Sequence, residues 1–214
     1  MSVAVVGAAI GLLWGLTADR IAARWPEHED GRVRPVDWRT PIVALAGLAA
    51  GGLVVDRFAG NVAWLTLMAV EIGALVLLFA TDLDQRLLPD WITYPLGALA
   101  LAAFVLGVGP YVRDTTELAW AAGAAFGIPL VLYLLSIPFG SGAIGPGDLK
   151  LLAAVGLLAG PGRLFLGLLG GAIVAALVIL VLLALRRITL KTYVPYGPFL
   201  IVGLLWALLA GVEI

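Results

Sequence analysis

The 214-residue sequence has no cysteine and one histidine, His28. The missing cysteine excludes disulfides, thiolate zinc sites and thiol catalysis. One histidine cannot build a His-rich metal site or a serine–histidine relay. Charge is scarce too: Asp, Glu, Lys and Arg make up 13% of the chain, against about 25% in soluble domains. A net charge of −1 offers little to a polyanion, so no nucleic-acid partner is expected. The start, Met1-Ser-Val-Ala-Val-Val-Gly7, lacks the basic region of a cleaved signal peptide and reads as a retained membrane helix. No convincing internal repeat is present.

Apolar sequence is abundant. Hydrophobic residues make up 62% of the chain and mean hydropathy is +1.08. Eight apolar segments run approximately over 2–18, 41–55, 61–81, 91–109, 117–138, 149–160, 163–185 and 196–213. Most approach or exceed the length of about 17–25 residues that crosses a bilayer. The second and sixth are short, and the sixth reads as a tilted or broken helix. The expectation is an all-α polytopic membrane bundle of these eight segments, forming one membrane-embedded domain over 1–214. If the loops alternate sides, Arg20, Arg24, Arg32, Arg34, Arg39, Arg86, Lys150, Arg186, Arg187 and Lys191 fall together, and Arg57, Arg113 and Arg163 fall opposite. Basic loops stay in the cytoplasm, which puts both termini outside and the 19–40 loop inside. With Pro26, Gly31 and Pro35, that loop is expected to be irregular: a solvated connector carrying topogenic charge, with substrate docking as the second reading.

Ionisable groups at the depth or edge of a bilayer are costly and default to function. Asp82 ends the third segment, in Asp82-Leu-Asp-Gln-Arg-Leu-Leu-Pro-Asp90, and Asp148 closes Gly145-Pro-Gly-Asp148. Only the fourth and fifth segments lie between them, so both belong to the cytoplasmic face. Asp84 is two residues from Asp82 and points roughly 160–200° away on a helix. One of the two can face the bundle while the other meets water or a partner. Asp90 reads as the N-cap of a helix beginning at Trp91. Asp148 could similarly cap a helix from Leu149, but a cap does not explain the surrounding glycines Gly145 and Gly147. The run 140–147 is too rich in glycine for a stable helix. Lys150 is either a topogenic charge or an offset to the carboxylates. Glu71, eleven residues before Asp82, shares its helix face and reads as a buried, protonated or hydrogen-bonded group with a possible supporting role. Trp14, Trp64, Trp120 and Trp206 read as packing or interfacial anchors, as do Trp25, Trp38 and Trp91 near the cytoplasmic interface.

If Asp82 and Asp148 meet, they cannot both ionise easily and would hold one proton between them. One can then activate water while the other polarises a carbonyl. Peptide hydrolysis by this route needs neither a metal nor a nucleophilic side chain.

The Asp82–Asp90 block together with Gly145-Pro-Gly-Asp-Leu-Lys-Leu-Leu152 resembles the type IV prepilin peptidases, membrane aspartic peptidases of the GxGD type. Pro195-Tyr-Gly-Pro-Phe199 is similar to their C-terminal Pro-Phe-Gly-Pro element. The resemblance covers residue 38 or so to the end. It implies Asp82 and Asp148 as the catalytic pair, with Gly145 and Gly147 shaping the approach of Asp148 and Pro195 and Gly197 lining the cleft. Asp84, Asp90, Lys150 and Glu71 are candidate supporting residues. It also implies cleavage of prepilins or pseudopilins, after a Gly, at the cytoplasmic face of the bacterial plasma membrane. The substrate's basic leader would stay in the cytoplasm while its apolar helix enters the bundle sideways from the lipid bilayer.

Two departures stand out. Larger bacterial members carry two Cys-x-x-Cys pairs between their first two helices, absent here. Their methyltransferase activity uses S-adenosylmethionine, and the first-helix pattern Gly-x-x-x-Asn reads Gly11-Leu-Leu-Trp-Gly15 here. This puts N-methylation in doubt, so no cofactor is expected for peptidase action and S-adenosylmethionine only if the methylase is present. The short form is similar to compact members serving Tad/Flp pili or competence pseudopili. A rival reading is a proton- or cation-coupled transporter using Asp82, Asp148 and Glu71. Transporters tend to carry repeats and midplane acids, neither of which is read here. A third reading is an inactive assembly scaffold.

Overall fold

The computed structural model describes residues 3–27, 31–136, 145–189, 194 and 196–210. Among these, every regular element is a helix: α1 (Val3–Ala22), α2 (Arg39–Phe58), α3 (Val62–Gln85), α4 (Asp90–Val105), α5 (Thr115–Ser136), α6 (Pro146–Ala184) and α7 (Gly197–Leu209). Helices α1, α2, α3, α5 and α6 are long and apolar enough to cross a membrane, while α4 and α7 are shorter apolar helices. In lipid the backbone must satisfy its own hydrogen bonds, which is why apolar runs fold as helices. The protein is a multi-pass membrane protein.

Helix α6 joins the segments expected at 149–160 and 163–185. It breaks at Gly160, whose φ of 75° and ψ of 171° are non-helical. Residues eight apart in a straight helix are about 12 Å apart along its axis. Yet a Cβ on Gly156 would lie 2.9 Å from Leu164 Cδ2. The chain therefore doubles back at Gly160, and Pro161 starts the second arm where its missing N–H costs nothing. The first arm is buried through Leu151, Leu152, Val155 and Leu158, whereas the second exposes Phe165, Leu169, Ile173 and Leu177.

Small residues set the close contacts. A Cβ on Gly11 would sit 2.9 Å from Gly51 Cα, and one on Gly15 would sit 2.8 Å from Ala44 Cα. Backbones of α1 and α2 thus touch, the usual route to association in lipid, where burying apolar surface offers no gain. Gly203 meets Gly171 in the same way, locking α7 to the second arm of α6. Trp14 is a packing residue: its indole N–H donates to Gly73 O at 2.8 Å, tying α1 to α3.

The loop after α1 departs from the solvated connector expected of it. Asp19 and the Asp84 side chain are 0% and 2% exposed. Arg34 pairs with Asp19 and reaches Asp37 Oδ1 at 2.6 Å, while its Nε lies 2.8 Å from Asp84 Oδ1, a charge contact off the line of a hydrogen bond. Arg39 Nη1 donates to the same Asp84 oxygen at 2.8 Å, and Thr40 Oγ1 donates to Asp19 Oδ2 at 2.7 Å. Burial disfavours a charged guanidinium, but its hydrogen bond and proximity to Asp19 outweigh this and raise the Arg34 pKa. Charges taken out of water must be paired, and these pairs fasten the loop to the ends of α1 and α3. The opposite end of the bundle holds Arg57, which donates to Ala210 O, and Arg163, which donates to Ala207 O at 3.1 Å. Both cations sit on terminal carbonyls of α7, where the helix dipole favours positive charge.

Candidate active site

Asp82 lies in the last turn of α3. That helix ends because Arg86 adopts a left-handed conformation, φ 57°, and returns its N–H to Asp82 O at 2.9 Å. The Asp82 residue is 5% exposed, and its Oδ2 is buried without a hydrogen-bond partner among the described residues. Gly197, the first residue of α7, covers it: a Cβ there would lie 2.8 Å from Asp82 Cγ. Only a residue without a side chain permits this approach.

Asp148 sits in the first turn of α6. The helix starts earlier than the sequence suggests, at Pro146, with Gly145 as its N-cap. Pro146 and Gly147 are thus helical, contrary to the reading of 140–147 as wholly non-helical; proline is favoured in a first turn. Asp148 is not the cap but the third helical residue, and its Oδ2 accepts the Gly145 N–H at 3.0 Å. An acid at this position satisfies an otherwise orphaned donor. Gly147 packs against Leu88, to which a Cβ would come within 3.1 Å. Leu88 follows the end of α3, so this contact draws the starts of α4 and α6 together.

The contact of Gly147 with Leu88 brings the start of α6 to the end of α3, close enough for the charge of Asp148 to act on Asp82. Tyr196, immediately before Gly197, also feels the Asp148 charge, and its hydroxyl donates to Leu168 O at 3.3 Å. Sequence reasoning passed over Tyr196, though its place inside the Pro195–Phe199 element was a usable signal. Asp19 was likewise placed in the loop, although an acid so close to an apolar run is itself a signal.

The other candidates are dispersed. Asp84 faces away from Asp82 and belongs to the Arg34–Arg39 network. Asp90 is the first residue of α4, not its N-cap; Pro89 holds that position. Its carboxylate instead accepts Lys150 Nζ at 2.7 and 2.9 Å, and the ammonium lies 5.3 Å from the Tyr94 ring centre. Lys150 therefore offsets Asp90. Glu71 is 1% exposed, with Oε1 unpartnered among the described residues. Pro195 lies outside the described residues.

A polytopic helix bundle holding two aspartates at the meeting point of three helix ends defines a class of membrane protein built around a paired-carboxylate centre. Residues 69–181 match the type IV leader peptidase family, and the chain belongs to it. It is 32% identical to a prepilin leader peptidase/N-methyltransferase of Pseudomonas putida, 33% identical to one of Pseudomonas aeruginosa and 35% identical to one of Aeromonas hydrophila. The matches cover 82%, 82% and 80% of this chain, and 60% of each relative. The chain thus spans less than two thirds of the length of these curated relatives. No solved structure matches it.

Proposed function

We propose that this chain is a membrane aspartic endopeptidase that removes the leader of prepilins or pseudopilins at the cytoplasmic face of the bacterial plasma membrane. The observation that carries this reading is the burial of Asp82 beneath Gly197, with Asp148 near enough for its charge to act on it. The relatives' name and the matched region, which includes both aspartates, support the same reaction. The cation-transport reading rested on these same acids and gains nothing from the family.

The two carboxylates differ in setting. Asp148 accepts a backbone N–H at the N-terminal end of α6, where the helix dipole favours negative charge. Asp82 stands at the C-terminal end of α3, where the dipole favours its neutral form. On this asymmetry Asp148 takes the proton of the attacking water, and protonated Asp82 donates a hydrogen bond to the scissile carbonyl oxygen. The tetrahedral intermediate then collapses as the leaving amine takes the proton held by Asp148. The basic loop anchored through Asp84 stands at the dyad's end of the bundle, which supports a cytoplasmic site.

Peptidase action without N-methylation is part of the proposal. S-adenosylmethionine would supply the methyl group in a methylating relative. Here the position matching the pattern's Asn is Gly15, and even a Cβ there would press on Val43 and Ala44 of α2. The residues present do not accommodate that pattern.

The test is cleavage of a co-expressed prepilin read by mass. Asp82→Asn and Asp148→Asn should each lower cleavage by roughly 10²–10⁴-fold, with unchanged abundance in the membrane. Retained cleavage in either variant would sink the dyad. A product one methyl group heavier than the cleaved pilin would sink the peptidase-only form.

A further inference from the structure

An apolar cavity of about 830 Å³ lies between α5 and the second arm of α6. Gly123, Gly127, Val131 and Leu132 form one wall, Leu168 and Ala172 the other, and Tyr196 also lines it. Tyr196 links this space to Asp82, being hydrogen-bonded to Leu168 and adjacent in sequence to Gly197, which rests on the Asp82 carboxylate. The cavity therefore adjoins, through Tyr196, the glycine that covers Asp82.

The glycines on α5 distinguish this space from a general lipid-facing surface. Gly7, Gly11, Gly47, Gly51, Gly167 and Gly203 are in contact with a neighbouring helix, such that an added Cβ would collide. Gly123 and Gly127, one turn apart, would meet nothing within 4 Å. Small residues spaced four apart let another helix approach closely in a membrane, and here no helix of this chain does so among the described residues. A helix about 10 Å across fills 830 Å³ with roughly two turns. The lining is almost wholly apolar, which suits an apolar helix and gives no hold to a polar peptide.

We infer that this groove holds the first turns of the substrate's apolar helix, directly after the scissile bond, and so delivers that bond sideways to Asp82 and Asp148. The inference rests on the peptidase reading and adds the place and the wall that recognise the substrate. The helix backbone lies along Gly123 and Gly127, and its leader passes Tyr196 toward the cytoplasm.

The experiment places the photo-crosslinking residue benzoylphenylalanine at Gly127 in the full chain, in membranes that also contain a tagged prepilin. Irradiation should yield an enzyme–prepilin adduct, mapped to the apolar helix and reduced by excess untagged prepilin. The same residue at Leu13, on the exposed face of α1 and 65% exposed, should give no such adduct. In parallel, Gly127→Leu and Gly123→Leu fill the groove without touching a packed neighbour. Each should raise KM for prepilin roughly tenfold with kcat little changed, as expected when ground-state binding is lost. Adducts with lipid only, or groove-filled variants that cleave with wild-type KM, overturn the groove while leaving the peptidase reading intact. Failure of the wild-type chain to cleave prepilin overturns both.

Discussion

The contact of Gly197 on Asp82 makes a single hydrogen atom matter. In Gly197→Ala, the methyl carbon must occupy a point 2.8 Å from Asp82 Cγ, so either α7 or the carboxylate moves. Misplacing a reacting group by about 1 Å can cost roughly 10²-fold in rate. We expect Gly197→Ala to lose cleavage on that scale while folding and inserting normally, measured as turnover per enzyme in detergent. Gly60→Ala, which meets no atom within 4 Å, is the matched control and should retain wild-type turnover. The same scale separates the acids. Asp82 and Asp84 are two residues apart and take opposite faces of one helix turn. One is turned to Gly197, and the other to Arg34 and Arg39.

At the level of elements, the ends of α1 and α3 are held by the buried Arg34 network. Removing one member of a buried ion pair leaves an uncompensated charge and costs about 3–5 kcal/mol. Arg34→Met should therefore lower the unfolding temperature markedly, whereas Arg34→Lys, which keeps the positive charge, should lose less. Thermal unfolding of the purified variants checks both. A second element-level prediction concerns the turn inside α6. Gly160 holds a positive φ of 75° with extended ψ, a conformation that L-residues rarely adopt and that costs about 1–3 kcal/mol. Gly160→Ala should destabilise the protein by that amount, with no part of the change traceable to packing, because a Cβ there meets only Val112 Cγ2 at 3.8 Å.

For the whole molecule, charge divides the bundle's ends. Arg34 and Arg39 lie at the end bearing Asp84, whereas Arg57 and Arg163 lie on the terminal carbonyls of α7. A chain without cysteine is a ready background for labelling. Val36→Cys, at a position 71% exposed in the loop, should react with a membrane-impermeant maleimide only in inverted vesicles. Asn61→Cys, between α2 and α3, should react in intact cells. The reverse pattern would invert the orientation and move the proposed site out of the cytoplasm.

The apolar runs were legible because crossing lipid as a helix requires long apolar stretches, a property that residues display one by one. The break at Gly160-Pro-Gly162 was legible for a related reason: glycine and proline state their backbone limits locally. Asp82 and Asp148 stood out because ionisable groups are rare in such sequence, and the resemblance preferred Asp82 to its neighbours. The partners of those groups were not legible. That Asp90 pairs with Lys150, that Asp19 is fully buried under Arg34, and that Gly197 rests on Asp82 depend on contacts between residues far apart in the chain. Sequence alone determined the helical membrane architecture and the short set of acids from which a site could be drawn. Only the tertiary structure decided which acids meet, because the directions of side chains on separate helices are set by how those helices pack, and no local pattern carries that information.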